Sequence, residues 1–249
     1  MRATDFGVQS YCFRHFPDNA QVAQMVRQIG LDKIEVCAVH ADFADLRKWK
    51  DVVNTYRDKG VSIVSIGVQT FKGDPAERDW FECAAAAGAK HISAHFLIDT
   101  FQDAVPKAAK LAEEYGIRIG VHCHGGYHFC GAPQNIEHLC NLGGDHIGLC
   151  LDTAWAMQIG PRDGDALKWV ERFGSKVFGV HYKDFVFDRS AQWSDVVVGR
   201  GNLNLPKLIH ALDDAGFDGM AVIEYEADVE DPAPALKECV RSMRDAVSA

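Results

Sequence analysis

Two histidines two residues apart close an apolar run in Gly120-Val121-His122-Cys123-His124-Gly125-Gly126. On a β-strand, residues i and i+2 face the same side. Both imidazoles therefore project together from a strand end, beside a Gly-Gly loop. Imidazole binds transition metals and moves protons near neutral pH. Three later apolar runs also end in polar residues: Asp152, His181 and Glu224. The recurrence points to one site assembled from several strand ends. Carboxylates and imidazoles packed this densely are costly to bury without partners, and a bound cation would offset that cost.

The elements that must position these residues are legible as a repeat. Strand-like apolar runs begin near Phe6, Lys33, Ser62, His91, Arg118, His146, Val177 and Met220. The first seven are spaced by about 27 to 31 residues, the interval of repeated βα units. The last gap is longer and holds an extra loop from about Phe187 to Leu205. Helical patterns fill the spaces: one capped by Asp18, then Asp42 to Lys59, Asp74 to Gly88, Thr100 to Tyr115, Pro133 to Leu142, Asp163 to Phe173, Pro206 to Ala215, and Pro232 to the C-terminus. Proline near the start and glycine just past the end is the expected asymmetry. Eight strands and eight helices in ~250 residues is the arithmetic of a (β/α)8 TIM barrel, an α/β fold. Even repeats favour closure over a doubly wound sheet. No linker or composition shift divides the chain, so a single domain over 1–249 is expected.

Composition narrows the function classes. The chain has 249 residues, 47% of them hydrophobic, enough for a substantial core. Its formal net charge of −9 opposes nucleic acid or an anionic membrane as partner. No apolar run approaches the ~20 residues of a spanning helix. The N-terminus lacks a signal-peptide pattern, and the eight cysteines form no CxxC pair. A reduced, cytoplasmic protein is the expectation.

In such barrels the active site lies at the C-terminal ends of the strands. The first run ends near Gln9, Tyr11 and Arg14. The second offers Glu35, with His40 beyond, and the fourth offers His95. The fifth offers His122 and His124, the sixth Asp152, and the seventh His181 followed by Lys183 and Asp184. The eighth offers Glu224 and Glu226. Any one of these could be structural: Asp152 alone reads as a helix N-cap, and His181 alone as a satisfied core histidine. His91, at a strand start, reads as part of the opposite, stabilising end. His128 could overhang the pocket. Trp155 could be a platform for a sugar ring or a cover over the barrel mouth.

The chain resembles the xylose isomerase-like TIM-barrel family of sugar isomerases and epimerases. That family also includes inosose dehydratases, 3-dehydroshikimate dehydratases and the endonuclease IV group. The resemblance covers nearly the whole chain. It rests on Gln9-Ser10-Tyr11-Cys12-Phe13-Arg14, the His122-x-His124-Gly-Gly turn, Leu151-Asp152-Thr153-Ala154, His181-Tyr182-Lys183-Asp184, Gly199-Arg200-Gly201 and Glu224-Tyr225-Glu226. It implies one divalent ion held by four strand-end residues. Asp152, His181 and Glu224 fall on three of those positions, and His122 falls where many relatives carry glutamate. The mixed N/O set suits Mn²⁺, Co²⁺ or Zn²⁺ better than Mg²⁺.

The activity so implied is isomerisation or epimerisation of a keto-sugar or polyol derivative, by proton abstraction and a metal-stabilised enediolate. His124, Lys183 and Glu224 are the candidate acid/base groups. Glu35, His95, Trp155 and Arg200 are candidate substrate contacts. Because His122 replaces one of the two glutamates of the epimerases, a lyase of inosose dehydratase type is the alternative. A non-catalytic metal- or sugar-binding barrel is the less favoured reading. The endonuclease reading needs a histidine three residues after Asp152, where Trp155 stands. Arg14, Lys183 and Arg200 are a thin set for a phosphate, which favours an unphosphorylated carbohydrate. Pairing into a homo-oligomer through rim loops is expected by analogy only.

Overall fold

The computed structural model describes residues 3–125 and 129–247. Seven parallel strands follow one another: β1 (Gly7–Gln9), β2 (Lys33–Val36), β3 (Ser62–Phe71), β4 (His91–Phe96), β5 (Arg118–His122), β6 (Ile147–Asp152) and β7 (Val177–Tyr182). An antiparallel hairpin, β8 (Asp184–Phe187) and β9 (Trp193–Val196), interrupts the series before β10 (Met220–Ile223). β10 pairs with both β7 and β1, which closes an eight-stranded barrel in the order β1-β10-β7-β6-β5-β4-β3-β2. The expected TIM barrel is therefore present, and the extra loop is the hairpin.

The helices are α1 (Asn19–Gln28), α2 (Leu46–Asp58), α3 (Arg78–Ala87), α4 (Phe101–Tyr115), α5 (Pro133–Gly143), α6 (Thr153–Gln158), α7 (Ala166–Phe173), α8 (Leu205–Asp214) and α9 (Ala233–Val247). Asp18, Asp45 and Asp165 cap α1, α2 and α7 by accepting from first-turn N–H groups. Three helices begin later than their sequence pattern suggests; α3 starts at Arg78, after a 3₁₀ turn over Pro75–Glu77 that Asp74 caps. Asp42 accepts from Ala44 N–H in a separate turn, leaving Asp45 as the cap of α2. Asp165, not Asp163, caps α7. The short α6 has no counterpart in the sequence pattern.

Alternation along the strands sorts the side chains into two cores. Outward residues such as Val121, Leu149, Leu151 and Val180 join the large apolar layer between barrel and helices. Inward residues Cys150, Met220 and Val222 form a small separate plug inside the barrel. Space there is tight: a Cβ on Gly120 would lie 2.9 Å from the Cys150 Cβ. Above this plug the next inward positions are Asp152, His181 and Glu224. All eight cysteines are buried and unpaired. Among the described residues, no helix is long and apolar enough to cross a membrane.

Candidate metal centre

His122, Asp152, His181 and Glu224 converge above the barrel plug. Each offers one ligand atom, and these atoms all lie within 4.8 Å of one another. Strand register brings them level: Asp152 is paired with His181, and Glu224 N–H donates to Tyr182 O at 3.0 Å. His122 Nε2 stands 3.5 Å from Asp152 Oδ2. His181 Nδ1 and Glu224 Oε2 are 3.0 Å apart.

The donor set fits a divalent cation. His122 Nε2 and Asp152 Oδ2 are buried, and neither has a hydrogen-bond partner. Such orphaned atoms are rare in folded proteins and call for an explanation. Donors ~2.0–2.2 Å from a common ion lie ~3–4.4 Å apart, so the observed cluster needs only slight contraction. Two carboxylates with two neutral imidazoles carry the charge that balances a divalent ion.

Local structure orients each ligand. Asp152 ends β6 and caps α6: its Oδ1 accepts from Ala154 N–H at 3.0 Å and Trp155 N–H at 2.9 Å. The cap spends one oxygen and leaves Oδ2 for the centre. The N-cap and ligand readings of Asp152 are thus compatible. Behind His181 sits Glu35, whose Oε1 lies 3.2 Å from His181 Nε2, though not in hydrogen-bond alignment. Glu35 is itself fixed by Gln9 Nε2 at 2.5 Å and Ser93 Oγ at 2.8 Å. His122 Nδ1 lies 3.3 Å from His95 Nε2 on the neighbouring strand.

Burial sets the protonation of the cluster. It pushes His122 down to about 3, helped by the charge on His181, so this imidazole is neutral. It pushes Asp152 up to about 7, against the pull of Lys183. Glu224 is also raised by burial, but the charges of Lys183 and His181 override this and hold it well below the usual carboxylate range. His181 goes the other way. Burial disfavours its charge, yet the acidic groups of Cys150, Glu35 and Glu224 raise its pKa well above the ordinary imidazole value.

A cleft of about 370 Å³ opens above the cluster, lined among others by Tyr11, His95, His122, His124, Trp155, Glu224 and Glu226. His124 stacks on Trp155 with ring centroids 4.2 Å apart and planes 23° apart. Phe185 and Trp193 of the hairpin meet Trp155 edge-on. One indole face is therefore covered by His124 and cannot receive a sugar ring. A larger hollow of about 690 Å³ lies between the α6–α7 loop, the hairpin and the start of α8, and it contains none of the four ligands.

Several expected roles change. Lys183 is 1% exposed and ion-paired to Glu226, with Asp195 Oδ2 at 3.6 Å. Burial works against its charge, but Glu224, Asp152, Glu226 and Asp195 push its pKa up, so it is a fixed ammonium and not a base. Glu35 is wholly buried behind His181 and does not line the cleft, which removes it as a substrate contact. Arg200 points away to Glu238 of α9. Its flanking glycines instead wrap Asp184, whose carboxylate accepts from Gly199, Gly201 and Leu203 N–H. His95 and Trp155 do reach the cleft. His128 lies outside the described residues. Glu226, only weakly marked in the sequence, lines the cleft; its position two residues after Glu224 was the available signal.

Comparison with known proteins places this architecture. The chain belongs to the xylose isomerase-like TIM-barrel family, whose model matches residues 23–246. Among curated proteins, the rhizopine catabolism protein MocC of Rhizobium meliloti is 26% identical over 145 residues, 51% of this chain and 43% of that protein. The match thus spans less than half the length of that relative. Among solved structures, the IolI protein with a bound zinc atom superposes with a TM-score of 0.78, at 16% identity over 97% of both chains. The 3-keto-D-glucoside 4-epimerase YcjR of E. coli gives 0.72, at 17% identity over 97% of this chain and 99% of that one. The probable 3-DHS dehydratase AsbF of Bacillus anthracis gives 0.72, at 14% identity over 98% of both. At these identities the likeness establishes the fold.

Proposed function

We propose that this member of the xylose isomerase-like TIM-barrel family is a divalent-metal-dependent isomerase or epimerase of a keto-sugar or polyol derivative. The observation that carries the reading is the four-donor cluster of His122, Asp152, His181 and Glu224, in which His122 Nε2 and Asp152 Oδ2 are buried without a hydrogen-bond partner, at the floor of a cleft that also holds His124 and Glu226. An ion bound there would act as a Lewis acid on a substrate carbonyl and its neighbouring hydroxyl. The donor set, two nitrogens and two carboxylate oxygens, suits Mn²⁺, Co²⁺ or Zn²⁺ better than Mg²⁺.

The chain's own residues supply the proton chemistry. His124 borders the cleft and takes the proton from the carbon beside the carbonyl. Its stack on Trp155 fixes the plane of the imidazole. Glu224 faces the same space from β10's end and is the second acid/base candidate. Lys183, held as an ammonium beneath Trp155, stabilises negative charge in the cleft. Asp152 and Glu224 limit phosphate binding by their own charge, which agrees with an unphosphorylated substrate.

A second reading is dehydration of the same substrate class, in which proton loss is followed by departure of a β-hydroxyl. The observation favouring it is that His122 leaves Glu224 as the one carboxylate among the four ligands that borders the cleft. The two separate cleanly in D₂O. Metal-loaded protein is incubated with unphosphorylated keto-sugars and keto-polyols and followed by proton NMR. An isomerase or epimerase exchanges the α-proton and yields an isomer; a dehydratase yields an unsaturated product. Full activity in Asp152→Ala would overturn the metal-dependent reading, and full activity in His124→Ala would remove His124 as the base.

A further inference from the structure

A histidine ligand has a requirement that a carboxylate ligand lacks. Only an unprotonated ring nitrogen binds a cation, so the proton of a neutral imidazole must be kept on the other nitrogen. His122 Nε2 faces Asp152 Oδ2 and is the nitrogen on the ligand side of the ring. Its Nδ1 faces His95 Nε2 at 3.3 Å. The two rings meet nearly edge to face, 5.3 Å between centroids and 70° between planes, as expected for an imidazole N–H aimed at a ring nitrogen. β4 and β5 are hydrogen-bonded neighbours, with Ala94 level with Val121. His95 and His122, the next residues along, are thus held side by side by the backbone.

We infer that His95 is a positioning residue for the metal centre: it accepts a hydrogen bond from His122 Nδ1–H and so keeps His122 Nε2 free to bind the ion. The inference rests on the metal-centre reading and adds that the site depends on a residue of β4 that supplies no ligand. Its logic parallels Glu35 behind His181, but the chemistry differs. Glu35 is a carboxylate clamped by two other side chains, whereas His95 is itself at the cleft wall. His95 therefore couples the metal centre to whatever occupies the cleft. A substrate group that competes for His95 Nε2 would loosen His122.

The test is the affinity for Zn²⁺ alone, by competition with a chromophoric chelator, in the full chain. His95→Ala is expected to weaken binding by about 10- to 100-fold, the usual effect of losing a partner of a ligand histidine. His95→Gln, whose amide oxygen can accept the same hydrogen bond, is expected to recover most of that loss. In a His122→Glu background, where no tautomer needs fixing, His95→Ala should change affinity by less than about threefold, since coupled sites show it only through their shared bond. Equal affinity of wild type and His95→Ala overturns the inference while leaving the metal centre intact. An equal loss in the His122→Glu background also overturns it, because His95 would then act on folding and not on the tautomer. A wild-type chain that binds no Zn²⁺ removes the metal-centre reading itself. Should His122→Glu fail to fold, ¹⁵N-histidine NMR of the ion-free wild type decides: the inference requires the proton on Nδ1 of His122, and a proton on Nε2 contradicts it.

Discussion

The two ends of this barrel solve the burial of polar groups in opposite ways. At the N-terminal end, charge is paired and partly wet. Arg118 binds Asp218 at 2.6 Å, and Lys33 bridges Asp5 at 2.7 Å and Asp32 at 3.1 Å. At the C-terminal end, Asp152 and His181 are 0% exposed, and Asp152 Oδ2 has no hydrogen-bond partner. His91 and His122 make the contrast sharp. Burial pushes both down to about 3, so both are neutral imidazoles. His91 sits among the ion pairs of the closed end. His122 sits among carboxylates that share its ligand space. A buried neutral histidine is therefore not a site in itself; the company it keeps decides. The closed end is built for stability, and the open end gives up stability to hold donors ready.

The largest expected effect comes from breaking the open end at its best-defined ligand. Asp152→Ala should lower divalent-ion affinity by more than about 100-fold, since it removes one of four donors and half the ligand charge. Asp218→Ala at the closed end should leave ion affinity unchanged. Calorimetric titration of the two variants side by side checks the pair. Next in size is Glu35→Gln, which removes the carboxylate behind His181. A loss of about 10- to 100-fold in ion affinity is expected, readable in the same titration.

The pH dependence sharpens the comparison further. Ion-free Asp152 is raised to about 7 by burial, so below that pH an incoming ion must displace a proton. Below about 7 both Asp152 and His181, whose pKa is also raised, give up a proton to the ion, so ion affinity should rise by up to about a hundredfold per pH unit; above about 7 only His181 still does so, and the slope should fall to about tenfold per unit. His122, neutral above about 3, adds no slope in that range. For the ion-free chain the sign is opposite. Between the ordinary aspartate value of 3.8 and about 7, the folded state holds a proton that the unfolded state has released. Asp152's contribution to stability therefore falls as pH rises across that window. A thermal-melt series with and without ion should show the two trends diverge.

Much of this was legible before the structure. The strand starts were readable because most of the apolar runs are buried on both faces and are punctuated by glycine and proline. The ligands were readable because each is the polar residue that closes, or immediately follows, such a run. Direction was not readable. Glu35 has the right residue type at a strand end, yet it turns into the barrel towards His181 and Ser93. Arg200 has the right type in a cleft-side loop, yet it turns outward to Glu238. The pairing of His95 with His122 depends on inter-strand register, which no single run reports. The role of Lys183 changed because four acidic groups surround it in space, from the end of β6, from β9 and from the segment after β10.

The smallest expected effects mark the edges of the site. Arg118→Ala, at the closed end, should cost below about 1 kcal/mol, because its partner Asp218 is largely exposed. It should leave ion affinity untouched, as a denaturant melt with a metal titration would show. Arg200→Ala should leave substrate KM within about twofold of wild type, since its guanidinium pairs with Glu238 away from the cleft. A large rise in KM would return Arg200 to the site.

The central claim is that the open end of the barrel holds one divalent ion on His122, Asp152, His181 and Glu224. The direct measurement is elemental analysis of the purified chain, before and after reconstitution with Mn²⁺, Co²⁺ and Zn²⁺, alongside His181→Ala. About one ion per wild-type chain, lost in the variant, is the predicted result. No ion in the reconstituted wild type, or an equal content in the variant, would contradict it.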